Sequence, residues 1–174
     1  MRRLLRTTRV YNLLYAYDQL NKTDEAIVVL NEVLEIDPYS EVAWHQLGLV
    51  LLKKGHQKEA LSAFDFAIIS DDTFTGAYIE KGKLLEAMGR INEAIDNYEI
   101  ALNTNDPSAF VFQCIGRCHE NLANTELATK FYLKAILIEP SNENSWASLI
   151  EFFIKQKLYK KAKEYFKRSL EVNS

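Results

Sequence analysis

The stretch Ala43-Trp44-His45-Gln46-Leu47-Gly48-Leu49-Val50, AWHQLGLV, has helical spacing and a glycine in its middle. A helical glycine costs about 0.5–1 kcal/mol relative to alanine, so Gly48 must gain something from lacking a side chain. The position recurs. Steps of 34 residues from Gly48 reach Leu14, Gly82, Gly116 and Ile150, so glycine stands at three successive places of one register. The same interval carries Ala26, Ala60, Ala94, Ala128 and Ala162, and then Leu30, Phe64, Tyr98, Tyr132 and Phe166, all bulky. Trp44, Tyr78, Phe112 and Trp146 form a fourth column, with Val10 as its smaller first member.

Each period reads as an apolar-periodic segment, a short polar break and a second periodic segment, which predicts an antiparallel helix pair. The breaks align as LNKTDEA, KGHQKEA, MGRINEA, LANTELA and KQKLYKKA. Gly55 and Gly89 are placed to end a first helix in a left-handed conformation. DPYS, DDTFT, DPSA and EPSN supply stops and N-caps between pairs, Asp106 followed by Pro107 among them. Small residues at the crossing of two helices let the axes approach to the lower end of the usual 8–10 Å. Trp44 and Phe64 are expected to fill the space beside Gly48, where burial of each outweighs the glycine penalty.

The columns resemble the tetratricopeptide repeat, whose pattern W-x2-L-G-x2-Y, A-x3-F and P is met by Trp44, Leu47, Gly48, Ala60 and Phe64. Leu51 departs from its tyrosine, and Asp72 and Asp106 from its proline, whereas Pro38 and Pro140 agree. The resemblance implies an all-α, right-handed α-solenoid of five antiparallel helix pairs. It forms one domain, 1–174, with repeats 7–40, 41–74, 75–108, 109–142 and 143–174.

It also implies a concave wall built mainly by the first helix of each pair, used as a binding groove. The wall positions hold Tyr11, Asn12 and Tyr15 in the first repeat and Val42, His45, Gln46 and Leu49 in the second. Ile79, Glu80 and Lys83 follow in the third, and Phe110, Gln113, Cys114 and Arg117 in the fourth. Aromatic and aliphatic anchors among amides and isolated charges suit a peptide. One subclass of the family grips a terminal carboxylate with lysine, asparagine and arginine; the first three repeats place Tyr11, Tyr15, Gln46, Gly76 and Glu80 there. The expected ligand is therefore an internal apolar segment of a protein partner. Two alternatives are a structural self-assembly module and a chaperone for secreted proteins of this family.

Bulk properties narrow the classes further. With 174 residues, 48% hydrophobic and 26% charged, the chain can bury a core without disulfides. A net charge of -3 gives no pull toward nucleic acid or anionic membrane. No apolar run is long enough to span a bilayer. The arginine-rich start, MRRLLRTTRVYNLLYAY, fits a first helix better than a targeting segment, and a cytoplasmic, reducing location is expected. Cys114 and Cys118, before His119, have neither haem nor zinc spacing and lie on one helix face. No nucleophile with a base, phosphate loop, metal cluster or cofactor motif is present, so a non-enzymatic role without cofactor is expected.

Lys160, Lys161, Lys163, Lys167 and Arg168 crowd the final helix, which reads as a solvated face. The register reaches Ser174 without the extra polar-backed helix that commonly closes such arrays. A longer parent scaffold is expected, with a tendency to homodimerise through Phe153, Ile154, Phe166 and Leu170.

Overall fold

The computed structural model describes residues 10, 12–17, 19–104 and 108–172, and every regular element among them is an α-helix. Helix α1 covers residues 12–17. It is followed by α2 (Thr23–Ile36), α3 (Glu41–Lys53), α4 (Gln57–Ser70), α5 (Thr75–Ala87) and α6 (Ile91–Thr104). Then come α7 (Ala109–Asn121), α8 (Thr125–Ile138), α9 (Glu143–Lys155) and α10 (Tyr159–Val172). From α2 onward, lengths alternate between 14 and 13 residues, so no insertion shifts the register. The chain forms two compact units, Met1–Lys81 and Gly82–Ser174. In the first, α2 packs on α3 and α3 on α4; in the second, α6 packs on α7, α7 on α8, α8 on α9 and α9 on α10.

The first helices of the pairs all end the same way. Asn21, Gly55, Gly89, Ala123 and Lys157 have φ of 55°, 79°, 76°, 56° and 59°. The residue after each donates its N–H back five positions: Lys22 to Tyr17, His56 to Leu51, Arg90 to Leu85, Asn124 to His119 and Leu158 to Phe153, at 2.8–3.0 Å. This closure satisfies a carbonyl that the helix would otherwise leave unpaired. The two glycines were legible as such stops; Asn21, Ala123 and Lys157 adopt the same geometry without glycine's freedom.

In the first unit, Leu14, Ala26, Leu30, Leu34, Ala43, Leu47 and Ala63 form the core. The ring of Phe64 lies against Gly48, where an added Cβ would sit 2.4 Å from Cε1. Phe64 therefore fills the glycine gap as expected, but Trp44 does not share it. Trp44 stacks on Phe66 instead, with ring centroids 4.7 Å apart, and its indole N–H donates to the Pro38 carbonyl at 2.8 Å. The half-buried indole finds its acceptor in that carbonyl, whereas the glycine gap offers only a ring.

In the second unit, Trp146 repeats that bond with Pro140 at 2.7 Å. Its core gathers Ala128, Tyr132, Ile136, Trp146, Leu149, Phe152, Phe153 and Ala162. Tyr98 lies over Gly82 and Tyr132 over Gly116 as Phe64 does over Gly48. Each tyrosine hydroxyl then needs a partner: Tyr98 donates to Glu86 at 3.4 Å and Tyr132 to Glu120 at 2.9 Å. The residue twelve before Phe64 is Leu52 and that before Phe166 is Ile154, so the carboxylate is absent where no hydroxyl calls for it.

Candidate binding site

In the first unit a hollow lies where α1, the start of α2 and α3 meet. It is a cavity of about 500 Å³, lined by Leu14, Tyr15, Tyr17, Ala26, Leu49, Val50 and Leu52 with Gln46 and Thr23. Lys22 and Lys53 complete the lining among the described residues. Lys22 pairs with Glu25, outside the lining, at 3.5 Å. An apolar hollow edged by an amide can take a bulky apolar side chain.

Of the expected wall residues, Tyr15, Gln46 and Leu49 line this cavity. Tyr15 is 68% exposed, held by its helix with little side-chain packing. Asn12 is exposed, and Tyr11 lies outside the described residues. His45 is half-buried between the rings of Phe64, at 5.9 Å, and Phe74, at 5.3 Å, and it packs beside Gly76. Val42, Ile79 and Glu80 are half-buried as well.

In the second unit the expected wall residues are tied to neighbouring helices. The Lys83 ammonium lies 5.0 Å from the centre of the Phe110 ring. Gln113 donates to Ser145 at 2.9 Å and accepts from Ser148 at 3.2 Å. Arg117 makes a two-pronged contact with Glu86, Nε to Oε1 at 2.7 Å and Nη2 to Oε2 at 2.9 Å. That fork raises the basicity of Arg117, because the charged form is the one Glu86 holds. Cys114 is fully buried and has no surface to offer a ligand; its Sγ accepts from Arg117 Nη2 at 3.6 Å. Burial pushes the Cys114 thiol up and the Cys118 thiol up to about 12. Both are free thiols.

The cavity also recruits residues that the wall positions left out: Leu14, Tyr17, Lys22, Thr23 and Lys53. Leu14 was visible as a break in the glycine column, yet the register does not say that the space next to it stays open.

Among the described residues no helix is long and apolar enough to cross a membrane. The family model described as TPR repeat matches residues 15–55. The model described as tetratricopeptide repeat matches residues 75–106, 114–142 and 151–174. Protein FlbA of Caulobacter vibrioides is 31% identical over 93 residues, covering 53% of this chain and 16% of FlbA. The chain spans 7–23% of the length of the curated relatives it matches. Among solved structures, that of MamA is 24% identical with a TM-score of 0.78, over 90% of this chain and 92% of that one. YrrB, described as a TPR protein with an unusual peptide-binding site, is 17% identical with a TM-score of 0.67, over 83% of this chain and 74% of that one. These likenesses show the fold.

Proposed function

This chain belongs to the tetratricopeptide repeat family, which generally serves protein–protein interaction, and we propose that it is a non-catalytic scaffold or adaptor that holds an internal segment of a partner protein. The observation that carries this reading is the cavity of the first unit, with Tyr15, Leu49 and Gln46 in its lining. A large aliphatic or aromatic side chain of the partner enters the hollow. Gln46 accepts from or donates to the partner backbone. Peptide binding is within the reach of this fold, as the description of YrrB says for that protein.

A peptide library displayed against the full chain tests it. Selected sequences are expected to share a bulky apolar residue. Replacing Leu49 by glutamate together with Tyr15→Ala is expected to weaken them more than tenfold, since burying each anchor is worth about 1.5–3 kcal/mol. Equal affinity for free-acid and amidated peptides separates an internal segment from a terminal carboxylate. Selected peptides that bind wild type and variant alike would remove the cavity from the reading.

A further inference from the structure

A second apolar surface of the first unit lies apart from the cavity, where α2 turns into α3 and where α4 ends. The Trp44 indole, bonded to the Pro38 carbonyl, holds the turn that carries Tyr39, and its ring stacks on Phe66 at 4.7 Å. Ile69 stands three residues after Phe66, on the same side of α4. Tyr39 is 74%, Phe66 47% and Ile69 71% exposed. The repeat does not require apolar residues at these places. One period on, Thr73 and Asn103 take those of Tyr39 and Ile69; Lys134 and Arg168 take that of Phe66 two and three periods on, and all four are exposed. The apolar members of the same columns, Ile100 and Leu137, are exposed as well. These places therefore face solvent with helices of the array on either side, and no neighbouring helix covers them.

The fourth repeat indicates what an aromatic ring here can receive. Phe112 takes the place of Trp44 and Lys134 that of Phe66, and the Lys134 ammonium lies 5.4 Å from the centre of the Phe112 ring. In the second repeat Phe66 supplies a further ring where that cation stands. Negative charge surrounds it. Residues 31–45 and 62–80, which carry the face, hold eight Asp and Glu and no Lys or Arg. Asp37 closes α2 beside Pro38, Glu41 lies one turn before Trp44 in α3, and Asp71 closes α4 two residues after Ile69. Thr73 fixes the Asp71 carboxylate, donating its N–H at 2.9 Å and its hydroxyl at 2.6 Å. Among the described residues, none of Asp37, Glu41, Asp71 and Asp72 is paired with a lysine or arginine.

We infer that this face docks a basic segment of a partner protein, with an arginine or lysine laid over Phe66, apolar side chains against Tyr39 and Ile69, and further cations opposite Glu41 and Asp71. A second copy meeting the same face would set these carboxylates against their own counterparts, an arrangement that like charges disfavour. A neutral apolar partner would desolvate them without pairing them. A basic segment covers the rings and pairs the rim.

The probe is the fluorescent, amidated peptide GRFRLRFRG, titrated by anisotropy into the full chain. Saturable binding is expected, weakened by added salt, more than tenfold by Phe66→Ser/Ile69→Ser, which leaves the charge unchanged, and severalfold by Glu41→Gln/Asp72→Asn. Phe66→Lys installs the residue that the fourth repeat carries, so it should keep the wild-type circular dichroism spectrum and lose the peptide. The acidic counterpart GEFELEFEG is expected to bind poorly. The cavity variant Leu49→Glu/Tyr15→Ala is expected to bind GRFRLRFRG as wild type does, which separates this face from the cavity. Four results would overturn the inference: no saturation, equal binding of the basic and acidic peptides, equal affinity for wild type and Phe66→Ser/Ile69→Ser, or loss of binding in the cavity variant. A peptide-free dimer seen by sedimentation and dissolved by Phe66→Lys would overturn it too, by assigning the face to a second copy.

Discussion

The ring of Tyr98 occupies the space that a side chain on Gly82 would need: a Cβ there would lie 2.6 Å from Cε1. At Gly48 the corresponding distance to Phe64 is 2.4 Å, and at Gly116 the distance to Tyr132 is 3.0 Å. Phe64 and Tyr98 are fully buried, so neither ring can swing away. Alanine would gain the helix propensity that glycine lacks, about 0.5–1 kcal/mol, but lose about 1–3 kcal/mol to overpacking. Gly48→Ala and Gly82→Ala are therefore expected to destabilise, and Gly116→Ala to be nearly neutral. Urea unfolding of the three variants checks the order.

Ala123 and Lys157 hold left-handed backbone at φ of 56° and 59°. A side chain in that conformation costs about 1–2 kcal/mol. Ala123→Gly and Lys157→Gly are expected to raise stability by up to about 1 kcal/mol each. Gly55→Ala is the mirror test: nothing lies within 4 Å of its added Cβ, so any loss of stability comes from φ of 79° alone. Thermal melting midpoints should rise for the first two and fall for the third.

His119 stacks on Phe131 with centroids 5.3 Å apart, and its buried Nδ1 has no hydrogen-bond partner. Burial lowers its basicity, an effect that Glu99 opposes in part. The folded chain thus binds fewer protons at this site than the unfolded chain, whose histidine titrates near the usual 6.5. Its stability is complete above that value and falls as pH drops below it toward the lowered folded value. His119→Phe should flatten the decline in unfolding midpoint between pH 7 and pH 5. A decline of the same size in both proteins would assign it to other groups.

Cys114 and Cys118 are fully buried, and burial disfavours their thiolates. Since the thiolate is the reacting form, neither should alkylate in the folded chain at neutral pH. Mass spectrometry after iodoacetamide should show no adduct without denaturant and two with it. Above about pH 9, where an unfolded thiol ionises, these two sites are expected to lower stability, because the folded chain resists losing their protons.

The sequence by itself determined the helix pairs, their boundaries and the glycine–ring contacts. Each follows from residues at a fixed 34-residue interval: size at a helix crossing and a left-handed stop are properties a single position can express. Even so, Trp44 bonded Pro38 and stacked on Phe66, because an indole N–H must find an acceptor.

Only the tertiary structure decided which surfaces remain available to a partner. Arg117, Gln113 and Lys83 hold the expected wall positions, yet their heads meet Glu86, Ser145 and Phe110 on neighbouring helices, and Cys114 has no exposed surface. Leu14, Tyr17, Lys22 and Lys53 join a cavity with Tyr15 and Leu49. Whether two side chains from neighbouring helices close on each other or leave a hollow depends on their lengths and rotamers across that gap. A linear register fixes the spacing of those helices, not how the gap between them is filled.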